Sequence, residues 1–312
     1  MKKLILETTA PFQGLAELVA YEEGLFAKEG LEIEWADRAT VTPAMDTNPI
    51  SGNHKQASSF ASHGTLLEQG KADMYNACEW GNYCRVSDTN VGSRNVGRRS
   101  IVTFVGIVVR PDSPVYTPQQ LAGRSVGVSF YAGTHYLALH LLSGFLPRDQ
   151  IKVCDVGAGA MPRRLKMVLS GEMEATALSE PYVSLAEKKG CRMICSAFHH
   201  GTEVASDRVD AETYAAFARA VREAVRRINA NKAAYLHYFI DYYKDKDPEV
   251  GTLTVADLSV GRLQVCNPTP IPADEMQRTY EWVKSWGMLE ETHSPLELIN
   301  MNVQTRAHVP AE

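Results

Sequence analysis

The sequence lacks the segments that carry a protein into or across a membrane. Only three apolar residues follow Lys3 before the acidic Glu7, whereas a signal peptide needs an apolar run of roughly 7–15 residues. No stretch reaches the ~20 apolar residues that cross a bilayer. We therefore expect a soluble, cytoplasmic protein that does not insert into a membrane.

Long basic runs are missing as well. The net charge is −5 at pH 7, and no block of Lys or Arg is long enough to follow a nucleic-acid backbone. The densest basic stretch, residues 94–99, is interpreted as a solvated loop. We therefore expect no nucleic-acid partner.

Motifs for metals and cofactors are absent from the sequence. The six cysteines lack the spacing of a zinc site, and without a secretory signal they are expected to be reduced thiols. A glycine-rich phosphate loop, a dinucleotide fingerprint and a paired-histidine metal helix do not occur. We expect neither a cofactor nor a metal, and a homodimer is left open.

The chain does contain two similar strand-to-helix segments. Residues 4–35 and residues 121–142 each lead from a short apolar strand through a loop of small residues into a helix. Such loops place helix N-terminal N–H groups at the carboxyl edge of a sheet, where small polar molecules and anions bind. At 312 residues and 45% apolar content, two cores are expected.

Alternating strands and helices predict an α/β fold with two lobes and one cleft. The apolar run at residues 101–109 and the return at residues 191–196 are the two expected crossings between lobes. We therefore predict a discontinuous first lobe, residues 1–104 with 197–312, and a second lobe, residues 105–196.

Three motifs, at residues 24–34, 110–128 and 169–181, carry a resemblance to a known superfamily. They include Arg110-Pro-Asp-Ser-Pro, Leu121-Ala-Gly-Arg-Ser-Val-Gly-Val and Leu169-Ser-Gly-Glu-Met-Glu-Ala. They resemble the nitrate, sulfonate and taurine solute-binding proteins, a superfamily that includes the thiamin-pyrimidine synthases. The resemblance runs in order over roughly residues 4–200.

This resemblance implies a type II periplasmic-binding-protein fold with ligand held between two α/β lobes. Most members are exported, but the superfamily also includes cytoplasmic enzymes such as hydroxybiphenyl sulfinate desulfinase. That enzyme has a nucleophilic cysteine in its first strand-to-helix loop, where this chain has Ala10-Pro11-Phe12-Gln13. The same reaction by the same residues is therefore not implied.

Substrate-binding candidates follow from the expected strand ends. Thr134 is suited to cap a helix, Gly133 allows close approach of a ligand, and His135 in the first turn offers a donor. Arg38 and the pair Arg163-Arg164 are clamps for an acid, unless they are solvated. The predicted binding residues are Pro11, Phe12, Gln13, Arg38, Trp80, Gly133, Thr134, His135 and Glu180.

Catalytic candidates concentrate where the third strand is expected to end. Cys78, Glu79 and Trp80 place a thiol, a carboxylate and an indole together, and a Glu against Trp in a dry cleft would have a raised pKa suited to proton transfer. In the alternative interpretation, Glu79 caps a helix or pairs with Arg85 while its neighbours pack. His54 and His63, in or beside a long loop, are candidates for protonating carbon, or else plain loop residues.

Together these features predict a cofactor-independent lyase of the decarboxylase or desulfinase type. Its substrate would be a small aromatic or heterocyclic acid bound as an anion between the lobes. The alternatives are a non-catalytic solute-binding protein of an ABC transporter and a protein that binds or makes a thiamin-pyrimidine precursor.

Overall fold

The computed structural model describes residues 1–37, 63–88, 92–157, 161–289 and 294–307. These residues form two β-sheets with helices packed against them. The strands, in chain order, are β1 (Lys2–Glu7), β2 (Leu31–Ala36), β3 (Met74–Cys78), β4 (Arg94–Arg98), β5 (Ile101–Val109), β6 (Ser125–Val128), β7 (Lys152–Asp155), β8 (Ala175–Ser179), β9 (Arg192–His199), β10 (Gly201–Ala205) and β11 (Gln264–Val265).

Helices cover both sheets and most of the last third of the chain. They are α1 (Pro11–Glu22), α2 (Leu25–Lys28), α3 (Thr65–Glu68), α4 (Glu79–Asp88), α5 (Gly133–Ser143), α6 (Met161–Leu169), α7 (Tyr182–Lys188), α8 (Ala211–Ala230), α9 (His237–Asp241), α10 (Ala273–Ser285) and α11 (Met301–Ala307). Short 3-10 turns connect several of them.

The first sheet has the strand order β2-β1-β3-β10-β4. Strands β1, β2 and β3 run parallel, and β10 pairs antiparallel with both β3 and β4. Because β1 and β3 are parallel, their carboxyl ends lie at the same edge of the sheet. The loops that follow Glu7 and Cys78 are therefore brought side by side.

The second sheet has the order β11-β5-β8-β6-β7, with β9 also paired to β5. Strands β6, β7 and β8 are parallel to one another, while β5 is antiparallel to β8 and β9. The carboxyl ends of β6 and β8 are followed by Ser129 and Glu180. This edge faces the corresponding edge of the first sheet across a cavity.

The chain passes between the sheets twice, and the two passages contact each other. It leaves β4 at Arg98 and enters β5 at Ile101, then leaves β9 at His199 and enters β10 at Gly201. The backbone N–H of Arg99 donates to the Gly201 carbonyl at 3.1 Å. The predicted lobe boundaries stay predictions, but both passages lie beside the cavity described below.

Local sequence explains the helices that support the first sheet. In α1, Pro11 occupies the first helical turn, where its missing N–H costs nothing, and Leu15 and Val19 are fully buried. In α8, the Asp210 side chain accepts a hydrogen bond from Thr213 N at 2.8 Å and caps the helix. The buried face of α8 packs against α1, α2 and α11.

The basic stretch at residues 94–99 is not the solvated loop that the sequence predicts. Residues Arg94–Arg98 form β4 in the first sheet, and Arg99 is only 1% exposed. Within the part of the chain that the structure describes, no helix combines the length and the apolar character needed to span a membrane.

Candidate functional site

A cavity of about 440 Å³ lies between the two sheets. Its walls come from the strand ends and helix starts of both sheets and from the segment after α9. The residues that line it are Ala10, Phe12, Gln13, His63, Cys78, Arg99, Thr103, Ser129, Ala132, Gly133, Thr134, Met161, Pro162, Arg164, Ser179, Tyr182, His199, Tyr242, Tyr243 and Lys246. A volume of this size suits a small organic ligand.

Arg99 is one of two buried cations in the cavity wall. Its Nη2 donates to Thr103 Oγ1 at 2.5 Å, and Thr103 Oγ1 in turn donates to the Phe12 carbonyl at 2.7 Å. Its Nη1 has no hydrogen-bond partner among the described residues. Burial lowers the pKa of Arg99, although nearby acidic groups oppose this effect. One guanidinium N–H group is therefore left without an acceptor, in a side chain that lines the cavity.

Arg164, in α6, is the second buried cation and is also 1% exposed. Its Nη1 donates to Ser129 Oγ at 2.5 Å, and Ser129 Oγ donates to the Gly157 carbonyl at 2.6 Å. Its Nε makes no hydrogen bond to any described residue. Burial lowers the pKa of Arg164 to about 10, so the side chain stays charged at neutral pH but is poorly solvated.

Helix starts add further donors to the same cavity. Gly133 and Thr134 are the first two residues of α5, where backbone N–H groups have no carbonyl one turn earlier to accept them. Phe12 and Gln13 lie in the first turn of α1, and Met161 begins α6. The positive ends of three helices therefore point to the region of the two guanidinium groups, and the site favours an anion.

The Cys78 thiol and the His199 imidazole lie beside Gly133. A Cβ built on Gly133 would be 3.0 Å from His199 Nε2 and 3.4 Å from Cys78 Cβ. His199 Nδ1 contacts the His200 carbonyl at 2.9 Å, so this nitrogen carries the proton and Nε2 is left as an acceptor. Both side chains line the cavity.

Burial holds both of these groups in their neutral forms. It raises the pKa of Cys78 to about 11 and, together with the charge of Arg99, lowers the pKa of His199 to about 3. At neutral pH the site therefore contains a protonated thiol and an uncharged imidazole. A neutral thiol is a proton donor rather than a strong nucleophile.

A pair of buried acids lies behind Arg99. Glu17 and Glu203 are hydrogen-bonded to each other and both have raised pKa values because of burial. Asn76 Nδ2 donates to Glu17 Oε1 at 3.3 Å. Two carboxyl groups can hydrogen-bond only when one of them carries a proton, so the pair bears at most one negative charge.

The structure brings six of the predicted site residues to the cavity wall. They are Phe12, Gln13, His63, Cys78, Gly133 and Thr134. Pro11 is buried at the start of α1 but does not line the cavity. Arg38 and His54 lie outside the described residues.

Glu79 and Trp80 were predicted at the site, but neither lines the cavity. Glu79 follows β3 as the first residue of α4 and points away from the cavity that Cys78 faces, toward the charges of Arg98 and Glu275. Burial raises the pKa of Glu79 to about 7. Trp80 instead packs behind the site, with its ring 5.1 Å from that of His199.

The alternative pairing of Glu79 with Arg85 is not found. Arg85 forms a two-pronged ion pair with Glu68, with Nη2 to Oε2 at 2.6 Å and Nε to Oε1 at 2.7 Å. The planar guanidinium therefore has its carboxylate partner in α3. Glu79 remains close to the Arg98 charge instead.

His135 and Glu180 are also directed away from the cavity. His135 Nδ1 accepts a hydrogen bond from Tyr131 N at 3.1 Å, and the ring stacks on Phe130 at 4.6 Å. Glu180 Oε1 accepts from Ser184 Oγ at 3.1 Å and from Arg262 Nη1 at 3.2 Å. Both polar groups thus have hydrogen-bond partners outside the cavity wall, and their predicted binding roles stay predictions.

Thr134 lies at the cavity wall but does not cap α5 as predicted. The residue before α5 is Ala132, which provides no side-chain cap. Thr134 Oγ1 instead accepts a hydrogen bond from Ser129 N at 3.4 Å. The first N–H groups of α5 are therefore not covered by the predicted cap.

Several cavity residues were not predicted, chiefly Arg99, Thr103, Ser129, Tyr182, His199, Tyr242, Tyr243 and Lys246. One sequence signal could have identified Arg99, because it lies two residues before the apolar strand that follows the first passage between the sheets. Of the pair considered as clamps, Arg164 is buried and lines the cavity, whereas Arg163 is exposed. Within the described ranges, no group of three His, Cys, Asp or Glu side chains could hold a metal ion.

The sequence matches no family model and no curated protein. Solved structures do match over nearly the whole chain. The alkanesulfonate-binding protein SsuA from Xanthomonas axonopodis pv. citri bound to MOPS is 15% identical, with a TM-score of 0.69, covering 96% of this chain and 98% of that one. The periplasmic aliphatic sulphonate binding protein SsuA from Escherichia coli is 14% identical, with a TM-score of 0.69, covering 96% and 92%.

An enzyme is also among the similar structures. The desulfurization enzyme DSZB is 13% identical, with a TM-score of 0.61, covering 98% of this chain and 99% of that one. These structures have the type II periplasmic-binding-protein fold. The fold predicted from the sequence is therefore confirmed, and at these identities the likeness concerns the fold alone.

Proposed function

We propose that this two-lobed protein binds a small organic acid in the cavity between its sheets. The observation that supports this most strongly is the pair of buried guanidinium groups, Arg99 and Arg164, each with an N–H that no described residue accepts. A buried charge is costly unless it is paired and hydrogen-bonded. An acidic group on a ligand would supply the missing partner.

The remaining cavity wall suits an aromatic or heterocyclic body on that acid. Phe12, Met161, Tyr182 and Tyr243 present rings and a thioether to the same space. Flat rings pack well against such side chains, and sulfur–aromatic contacts add to the attraction. The similar solved structures include sulfonate-binding proteins, which supports an anionic ligand.

Calorimetry with matched acids and a neutral analogue tests this proposal. Benzoate, benzenesulfonate and benzenesulfinate are titrated into the protein, with benzamide as the uncharged control of similar shape. We expect at least one acid to bind with a Kd below about 1 mM and at least about 10-fold more tightly than benzamide, the factor of one charged hydrogen bond. If no acid exceeds benzamide, the proposal is wrong.

A lyase is the second candidate, and the placement of Cys78 favours it. In a decarboxylation the bond from the ring carbon to the carboxylate breaks, CO₂ leaves, and the electron pair left on carbon takes a proton. A desulfination releases SO₂ in the same way. The protonated thiol of Cys78 would give that proton and regain one from water, with His199 Nε2 positioned to accept a hydrogen bond beside it.

Separating binding from catalysis requires an acid that binds and a product assay. For such an acid, Cys78→Ala should lower turnover by at least about 100-fold, the contribution typical of a general acid, while changing Kd by no more than about threefold. Cys195→Ala, outside the cavity wall, is the matched control, and Glu79→Gln should leave turnover unchanged. Bound acids that are never converted would leave solute binding as the function.

The two candidates also differ in where the protein would work. A cytoplasmic location belongs to the lyase proposal, whereas a transporter component would meet its ligand outside the cytoplasm. Fractionation of native cells followed by immunodetection distinguishes these locations. Recovery outside the cytoplasm would favour the solute-binding function.

A further inference from the structure

The two buried guanidinium groups belong to opposite sides of the cavity. Arg99 lies against the first sheet, because a Cβ built on Gly201 in β10 would be 2.2 Å from Arg99 Nε. Arg164 lies in α6, which packs against β8 of the second sheet. Each side of the cavity therefore contributes one buried cation.

Both guanidinium groups are held by the same kind of hydrogen-bond chain. Arg99 donates to Thr103 Oγ1, and Arg164 donates to Ser129 Oγ. Each hydroxyl uses its only hydrogen on a backbone carbonyl, so its oxygen can only accept from the arginine. This arrangement fixes both guanidinium planes and leaves a different N–H of each without a partner.

The acids near these cations are already engaged elsewhere. Glu17 and Glu203 are hydrogen-bonded to each other behind Arg99. Asp155, the acid that acts on Arg164, accepts from Phe130 N at 2.9 Å and from Gly157 N at 3.1 Å. Among the described residues, neither arginine forms an ion pair within 4 Å. A ligand with a single acidic group that pairs with one of these cations would leave the other unpaired.

We propose that the natural ligand is a dianion whose two acidic groups pair with Arg99 on one side and Arg164 on the other. This inference rests on the proposed organic-acid function and narrows its substrate class to an aromatic or heterocyclic diacid. The ring would span the cavity between the two cations. Because each acid replaces a missing buried partner, its removal should be costly.

Diacids and their monomethyl esters provide the test, because an ester keeps the shape of the ligand and removes one charge. Benzene-1,2-, benzene-1,3- and benzene-1,4-dicarboxylate are titrated by calorimetry at pH 7.5, each beside its monomethyl ester. The three isomers sample three separations between the acidic groups. We expect at least one diacid to bind about 10- to 100-fold more tightly than its own ester.

Substitutions then assign the two acidic groups to the two cations. Arg99→Met and Arg164→Met should each reduce the diacid-to-ester ratio to below about threefold, because the second acid has lost its partner. Arg163→Met, at the exposed neighbour of Arg164, is the matched control and should keep the full ratio. A ratio that survives either cavity substitution would overturn the assignment.

The outcomes separate this inference from the function on which it rests. If esters and diacids bind equally to the wild-type protein, the dianion is excluded while organic-acid binding stands. If neither diacids, esters nor the monoacids bind, the proposed function itself fails. The ester comparison needs no substitution, so it stands even if a variant does not fold.

Discussion

The carboxyl groups of Glu17 and Glu203 are hydrogen-bonded to each other beside the first sheet, so at least one of them carries a proton. Glu17 comes from α1 and Glu203 from β10, so the contact joins the helix at the cavity mouth to the strand that follows the second passage between sheets. Each residue is at most 3% exposed. The pair therefore makes the stability of this region depend on pH.

The Glu203→Gln variant should lose less stability at high pH than the wild-type protein does. Burial raises the pKa of Glu203 well above 4.5, so the folded protein holds a proton that the unfolded chain releases, and stability falls as pH rises above about 4.5. Thermal unfolding at pH 5 and pH 9 measures this. Between these two pH values the Tm of the variant should fall by at least about 3 °C less than the Tm of the wild-type protein. The exposed control variant Glu212→Gln should behave as wild type. An unchanged fall would contradict the shared proton.

Arg164→Met should stabilise the unliganded protein. The cation is buried with one N–H unpaired, and replacing such a charge by an apolar side chain of similar volume commonly gains about 1–3 kcal/mol. The lost hydrogen bond to Ser129 makes the lower end the expected result. Urea unfolding measures the change, and Arg163→Met at the surface should stay within about 0.5 kcal/mol. A clear loss of stability would mean that Arg164 already has a partner.

Gly133→Ala should block the cavity while leaving the fold intact. The new Cβ would lie 3.0 Å from His199 Nε2 and 3.4 Å from Cys78 Cβ, so a ligand approaching this helix start loses room. We expect affinity for a binding acid to fall by about 10-fold or more, the cost of one lost charged hydrogen bond. The control variant Gly144→Ala, at the other end of α5, should bind the acid normally. Equal affinity in both variants would show that the ligand binds elsewhere.

Alkylation of Cys78 should show no activated thiolate. Because burial raises its pKa to about 11, the thiolate fraction increases about tenfold per pH unit below that value. The rate at which iodoacetamide carbamidomethylates Cys78, measured by peptide mass spectrometry at pH 7.5, 8.5 and 9.5, should rise accordingly without a plateau. In the urea-unfolded protein this rate should level off near pH 9. A plateau near pH 7 in the folded protein would instead mark a nucleophilic cysteine.

Glu180→Gln should destabilise the protein without altering ligand affinity. Glu180 accepts hydrogen bonds from Ser184 and Arg262 away from the cavity. Gln keeps the shape but loses the ion pair, so we expect a loss of about 1–2 kcal/mol in the free energy of unfolding. Calorimetric titration of a binding acid should give an unchanged Kd. A weakened Kd would restore the binding role predicted from the sequence.

Much of the fold could be predicted because its elements are locally encoded. From the sequence, the apolar run at residues 101–109 predicts a strand, and the apolar pattern before Gly171 predicts a helix over residues 161–169. A long helix is predicted over residues 211–230, and the structure gives all three elements with these bounds. The sequence also predicts a helix at residues 233–244, where the structure has a 3-10 turn and the short α9. Strands β4 and β10 were missed because buried polar residues such as Asn95 and Glu203 interrupt their apolar pattern.

The sequence predicts which strand ends lie at the site, but it does not predict which way their side chains point. Cys78 and Glu79 are adjacent in sequence, and only the turn from β3 into α4 decides that the thiol faces the cavity. Arg99 resembles a surface residue in sequence, because its burial depends on β10 pairing with β3 and β4 from 100 residues away. The burial of His199 depends on the same long-range pairing. The directions of these side chains are set by tertiary contacts, which a local sequence pattern does not contain.

The two passages between the sheets are the places about which the two halves of the molecule would turn if they moved apart. Arg99 and His199 sit where the backbone changes sheet, and the Arg99 N–H is bonded to the carbonyl of Gly201 on the neighbouring passage. When one half of such a molecule swings relative to the other, groups at the pivot move least and groups on the far arm move most. A ligand bound to Arg99 would therefore stay close to the pivot as the two halves move apart, and its contact with Arg164 would be the one that forms and breaks.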